Sequence, residues 1–102
     1  MSVFSDKVWQ ALQTVPRGKV TTYQLLARAA GKPKAFRAVG SVMRQNVQLV
    51  ILPCHRVVKS NGDIGEYVGG INQKVTLLQS EGVVINNNRI NLSEYLVVPN
   101  IV

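Results

Sequence analysis

TTYQLLARAAGKPKAFRAVGSVMR, residues 21–44, decides how this chain is read. Thr21-Thr22 precede a helical segment of about 23–30 in which Leu25, Leu26 and Ala29 face inward, and Gly31 supplies a left-handed stop. Lys32-Pro33 makes the turn. The spacing of Phe36, Val39 and Met43 predicts a second helix over about 34–45, with Lys34, Arg37, Ser41 and Arg44 mostly off that stripe. Two short helices around a glycine-containing turn, the second basic, form a helix-turn-helix candidate. The same pattern serves an ordinary αα-hairpin equally well. Gly40 costs about 1 kcal/mol relative to Ala inside a helix, so something is expected to pack close against it, protein or nucleic-acid backbone.

Upstream, Ser5 can cap a helix whose apolar positions Val8, Trp9, Leu12 and Val15 recur at helical spacing until Pro16-Arg17-Gly18. Downstream, Val47 to Val58 is a β-branched and aliphatic stretch interrupted by Pro53-Cys54-His55-Arg56, which predicts a tight turn between two extended segments. Ser60-Asn61-Gly62-Asp63 is a strong turn signal, and Gly65, Gly69 and Gly70 make a glycine-rich loop around Tyr67. A last helix, about 72–80 with Val75, Leu77 and Leu78 apolar, ends at Glu81-Gly82, and the tail beyond alternates weakly around Asn86-Asn87-Asn88 as a short hairpin would.

The 102 residues carry 12 Lys+Arg against 5 Asp+Glu, a formal net charge of +7, with 46% apolar content. That bounds the chain to one soluble domain with a modest core and excludes a disordered polyelectrolyte. One cysteine cannot make an intramolecular disulfide, which favours a reducing compartment. The apolar runs are too short to span a bilayer, and the N-terminus lacks the pattern of a secretory signal. Such a positive balance fits a polyanionic partner, nucleic acid first and an anionic membrane surface second.

Cys54 lies beside the sole histidine, His55, and Arg56, where positive charge could favour a thiolate. A lone cysteine is otherwise a small buried hydrophobe, and the two readings stand near even. On an extended segment Cys54 and His55 point to opposite sides, so proton transfer between them needs a turn or a bridging water. One Cys and one His cannot build a closed zinc site. Gly65 to Gly70 lacks the spacing of a phosphate cradle, leaving a flexible loop or a pocket wall for a planar ligand.

Gly18-Lys19-Val20-Thr21-Thr22-Tyr23, Arg37-Ala38-Val39-Gly40, Asn46, Pro53-Cys54-His55-Arg56-Val57, the Tyr67 loop and Glu81-Gly82 occur in an order and separation that resembles the C-terminal DNA-binding domain of the O6-alkylguanine-DNA alkyltransferases, from about Phe4 to Gly82. The resemblance implies that Cys54 accepts an alkyl group from guanine O6 in one in-line displacement and becomes a stable thioether, so that each protein acts once. It implies that Glu81 orients the imidazole, that His55 polarises a water against the thiol, and that Asn46 ties the active-site turn to the helix-turn-helix. It casts Tyr23 as the residue that rotates the nucleotide outward and donates to guanine N3, and Arg37 as the finger entering the duplex. Extrusion is needed because chemistry on a stacked base is blocked. The recognition helix would lie in the minor groove, with small Ala38, Gly40 and Ser41 beside Arg37, and with Thr22, Lys34 and Arg56 also assigned to DNA binding. The carbonyls of Cys54 and Val57 and the amide of Val68, with Tyr67, would form the pocket. No cofactor and no metal is implied.

Two departures stand out. Val47 follows Asn46 where the family usually has Pro, and these 102 residues hold no counterpart of the separate N-terminal α/β domain of most members. The expected fold is a small α+β, winged helix-turn-helix-like domain, mostly helical with a short β element, occupying 1–102 with 82–102 as a poorly matched tail. The expected partner is double-stranded DNA, met by a monomer without a membrane, in the cytoplasm or a nucleus. Two rival readings remain: an alkyltransferase-like protein that flags lesions without transfer, usually with the acceptor Cys replaced, and a basic helix-turn-helix module with an inert Cys54.

Overall fold

In the computed structural model, which describes residues 3–100, α1 (Val3–Leu12) buries Val8, Trp9 and Leu12. Phe4 also packs against the core, which draws the helix start ahead of Ser5, so the expected cap lies inside the helix. Gly18, at φ +86°, then turns the chain into β1 (Thr21–Thr22). Thr22 Oγ1 accepts the Leu25 N–H at 3.1 Å and caps α2 (Tyr23–Ala29). The turn that follows is closed by Ala35 N–H on the Lys32 carbonyl at 2.9 Å, which delays α3 to Phe36–Arg44 and leaves Lys34 in the turn. Val39, Val42 and Met43 are buried with residues of α1 and α2 in the first of two cores. Phe36 is not part of that stripe: it is half exposed and opens onto a cleft.

β1 pairs in parallel with β2 (Val57–Val58), Thr21 opposite Val57 and Thr22 opposite Val58. A parallel pair needs a long crossover, and here the helix-turn-helix is that crossover. The extended segment expected ahead of Pro53 does not form. Asn46 bonds the Gln48 N–H (2.8 Å) and the Leu52 carbonyl (2.9 Å), taking backbone groups a strand would offer a neighbour, and only a local Leu49–Leu52 bridge remains. Cys54–Arg56 is a single 3₁₀ turn that delivers the chain to β2.

α4 (Ile71–Ser80) turns Lys74 and Leu78 inward, one helical turn apart, while Val75 and Leu77 are only half buried. The tail forms the expected short hairpin: Asn87 and Asn88 take the left-handed conformation, and Asn86 and Arg89 exchange backbone bonds of 3.0 and 2.9 Å. α5 (Leu92–Tyr95) follows, and the chain then runs beside Val20, whose N–H donates to Tyr95 O and whose carbonyl accepts from Val97 N–H. The tail therefore does more than cover the core. Val83, Ile90 and Tyr95 are members of the second core, with Val20, Val58, Ile64 and Leu78. Among the described residues no helix is long and apolar enough to cross a membrane, and no group of three or more His, Cys, Asp or Glu side chains could hold a metal ion.

Candidate active site

Cys54 opens the 3₁₀ turn and is almost completely buried. Asn46, just beyond α3, donates one amide hydrogen to Cys54 Sγ (3.2 Å) and the other to the Leu52 carbonyl (2.9 Å), which joins the end of α3 to the Cys54 turn. Burial pushes the thiol pKa up, against the opposing pull of the Asn46 hydrogen bond and the Lys74 charge.

The turn sends His55 the other way, into complete burial, where Nε2 lies 2.9 Å from Glu81 Oε2. Glu81 sits just past α4 and also takes both Arg56 Nε (3.0 Å) and Nη2 (2.9 Å), a two-point carboxylate clamp. Burial would raise the Glu81 pKa, but the hydrogen bonds from Arg56 and His55 outweigh it and hold the carboxyl at about 2. An ionised Glu81 can only accept, so the proton belongs on His55 Nε2 and Nδ1 is the free base. Nδ1 is buried and has no hydrogen-bond partner among the described residues. Burial also lowers the His55 pKa below its usual 6.5, keeping the ring neutral near pH 7.

Arg56 is not on the DNA-facing surface assigned to it from sequence. Its guanidinium is spent on Glu81 and, through Nη1, on the Val15 carbonyl at 3.0 Å. Thr22 is likewise buried, its hydroxyl committed to the α2 cap. Lys34 stays in the α2–α3 turn, away from the cleft, and the Val57 carbonyl assigned to the pocket already accepts from Lys74 Nζ at 2.7 Å, while the Val57 side chain lies in the core.

Lys74 was missed. It is 0% exposed, and its ammonium donates to the carbonyls of Val57 (2.7 Å) and Glu66 (2.9 Å), pinning the active-site strand to the glycine-rich loop. Burial lowers its pKa to about 8. In sequence it reads as one more solvated lysine; the available signal was its place four residues before Leu78 on the inward stripe.

These pieces meet at a cleft of about 830 Å³ with Cys54 in its lining. One wall is Tyr23 with the α3 face of Phe36, Arg37, Gly40, Ser41 and Arg44; the other is Lys59 to Asn61 and Glu66 to Val68. Ala38 is exposed on α3 but off the lining. The rim thus carries Arg37, Arg44 and Lys59 against Glu66 alone, and Tyr23, its pKa raised by burial to about 12, keeps its phenolic proton as a donor. A Cβ on Gly40 would meet only the Arg44 guanidinium, at 3.6 Å, so no protein packing demands the glycine.

The chain matches the family described as the 6-O-methylguanine DNA methyltransferase DNA-binding domain over residues 3–83. It belongs to that family. Among curated relatives, the Escherichia coli bifunctional transcriptional activator/DNA repair enzyme Ada is 48% identical over 80 residues, 78% of this chain and 23% of Ada. The human methylated-DNA–protein-cysteine methyltransferase is 51% identical over 75 residues, 74% of this chain and 36% of the human protein. The chain therefore spans about a quarter to a third of these two relatives. Among solved structures, that of Mycobacterium tuberculosis OGT in complex with DNA aligns with a TM-score of 0.77 and 41% identity, covering 80% of this chain and 50% of that one. Schizosaccharomyces pombe Atl1, in complex with damaged DNA containing O6-carboxymethylguanine, aligns with a TM-score of 0.86 and 34% identity over 95% of this chain and 96% of Atl1. The alkyltransferase fold is thus present as a small, mostly helical α+β unit, and the Atl1 alignment reaches into the tail beyond residue 83.

Proposed function

We propose that this protein binds O6-alkylguanine in double-stranded DNA and transfers the alkyl group to Cys54. The observation that carries the reading is the position of the thiol: Cys54 lies in a cleft one wall of which is the exposed face of α3, in a family named for DNA binding. Arg37 and the small Gly40 and Ser41 enter the minor groove, Arg37 fills the vacated stack, and Tyr23 donates its phenolic proton to the extruded base. Extrusion costs a few kcal/mol, least for a damaged nucleotide, which gives lesion selectivity before any chemistry.

In the transfer, the thiol proton passes by way of a water to His55 Nδ1, whose Nε2–H is held by ionised Glu81. The Cys54 sulfur then forms a bond to the alkyl carbon as the carbon–O6 bond breaks. Guanine leaves with the bonding pair and takes a proton, giving unmodified guanine and a thioether. A thioether is stable in water, so turnover stops at one.

A second reading is favoured by the near end-to-end alignment with Atl1: lesion binding with Cys54 silent. Intact-mass measurement after incubation with a duplex holding one O6-methylguanine separates the two. Alkyl transfer requires a gain of one methylene per protein, mapped to the Cys54 peptide. Lesion-selective binding with unchanged mass leaves only the flagging role.

A further inference from the structure

The wall of the cleft opposite α3 is a turn rather than a strand or helix, and a turn needs support to define a pocket. Residues 59–63 close on themselves through Lys59 N–H on the Asp63 carbonyl (2.9 Å) and Gly62 N–H on the Lys59 carbonyl (3.0 Å). The tail hairpin bonds to them at three points. Ile90 N–H donates to Gly62 O (2.8 Å), Ile64 N–H donates to Asn88 O (3.0 Å), and Arg89 Nη1 donates to the Asn61 carbonyl (3.1 Å). The approach is close enough that a Cβ on Gly62 would stand 2.8 Å from the Ile90 carbonyl oxygen. The hairpin is in turn fixed by Ile90 and Tyr95 in the second core. It lies beyond residue 83, where the match to the family's DNA-binding domain ends.

We infer that the tail hairpin, through Arg89 and the Gly62–Ile90 contact, fixes the Lys59–Asn61 wall and so sets the size of O6 substituent the cleft admits. This rests on the proposed function, in that the cleft must receive the alkylated base. A wall backed by a hairpin and a core cannot yield to a bulky group, whereas a wall freed on its outer edge can. Arg89 and Gly62 act by positioning and touch neither substrate nor Cys54.

The test pairs two readouts on the whole chain. Amide exchange of residues 60–64 is compared between the wild type and Arg89→Ala, and competition binding is measured for each wall in a Cys54→Ser background, which binds the lesion without consuming it, with otherwise identical duplexes holding guanine, O6-methylguanine or O6-benzylguanine. The side-chain bond is worth roughly a tenfold change at most, so exchange should quicken by up to about tenfold in that segment alone, with the benzyl-to-methyl affinity ratio rising by about fivefold. Gly62→Ala, which forces the two backbones apart, should move both readouts further in the same direction. Unchanged exchange in both variants, or faster exchange with an unmoved ratio, overturns the inference. A wild type that does not separate O6-methylguanine from guanine instead overturns the functional reading, and the size-selecting role with it.

Discussion

Cys54 keeps its proton in the free protein because burial outweighs the help of Asn46 and Lys74, so the proposed transfer requires the His55–Glu81 pair to draw that proton off. Cys54→Ser should abolish the methylene gain while lesion affinity stays within about twofold, since a hydroxyl can replace the thiol as acceptor of the Asn46 bond. Equal loss of affinity would mean that the turn had collapsed. Glu81 makes the acid sensitivity of the fold predictable. Its folded pKa of about 2 lies below the ordinary 4.5, so its contribution to stability is complete above pH 4.5 and is lost as pH falls toward 2. Chemical denaturation between those values should show that slope, and Glu81→Gln should remove it while costing about 3 kcal/mol near neutral pH, because Arg56 loses its buried partner. At this scale the sequence named Cys54, His55, Asn46 and Glu81 but misplaced Arg56. Adjacency to a reactive cysteine does not reveal that a guanidinium folds back onto a carboxylate 25 residues on.

The helix-turn-helix was legible because each of its helices announces itself locally, by the Thr22 cap, the Gly31 stop and the Val39–Met43 stripe. The 3₁₀ turn and the short sheet were not, since a parallel pairing of Thr21 with Val57 depends on what lies between them. α3 offers a test in which stability and binding move apart. Gly40→Ala meets no obstruction inside the protein, so it should raise stability by up to about 1 kcal/mol through helix propensity. Its methyl group would project into the cleft face, and DNA affinity should fall. Arg37→Ala should leave the melting curve nearly unchanged, within about 0.5 kcal/mol for an exposed side chain, yet lower transfer and flatten the salt dependence of DNA binding. Thermal melts beside anisotropy titrations at two salt concentrations measure both effects, and a parallel loss of stability and affinity would make α3 a structural element only.

Across the whole molecule, two cores share the short sheet: Val57 belongs to the first, with α1 to α3, and Val58 to the second, with α4 and the tail. The tail's contribution was the least legible part of the chain, because its Val83, Ile90 and Tyr95 are too far apart to form a periodic stripe and meet only through the hairpin. Tyr95→Ala should cost about 3 kcal/mol, combining a lost aromatic side chain with the unmade bond from Val84 N–H to Tyr95 Oη. Denaturant unfolding checks this, and a loss below 1 kcal/mol would reduce the tail to decoration. The bonds of Val20 to Tyr95 and Val97 have a further effect during synthesis. An emerging chain cannot complete the edge beside β1 until residue 97 has cleared the ribosome, by which time every residue of the site is already outside. The edge beside β1 is therefore made late, and a nascent chain stalled before residue 97 should leave the backbone of Val20 without these partners and the second core open on that side.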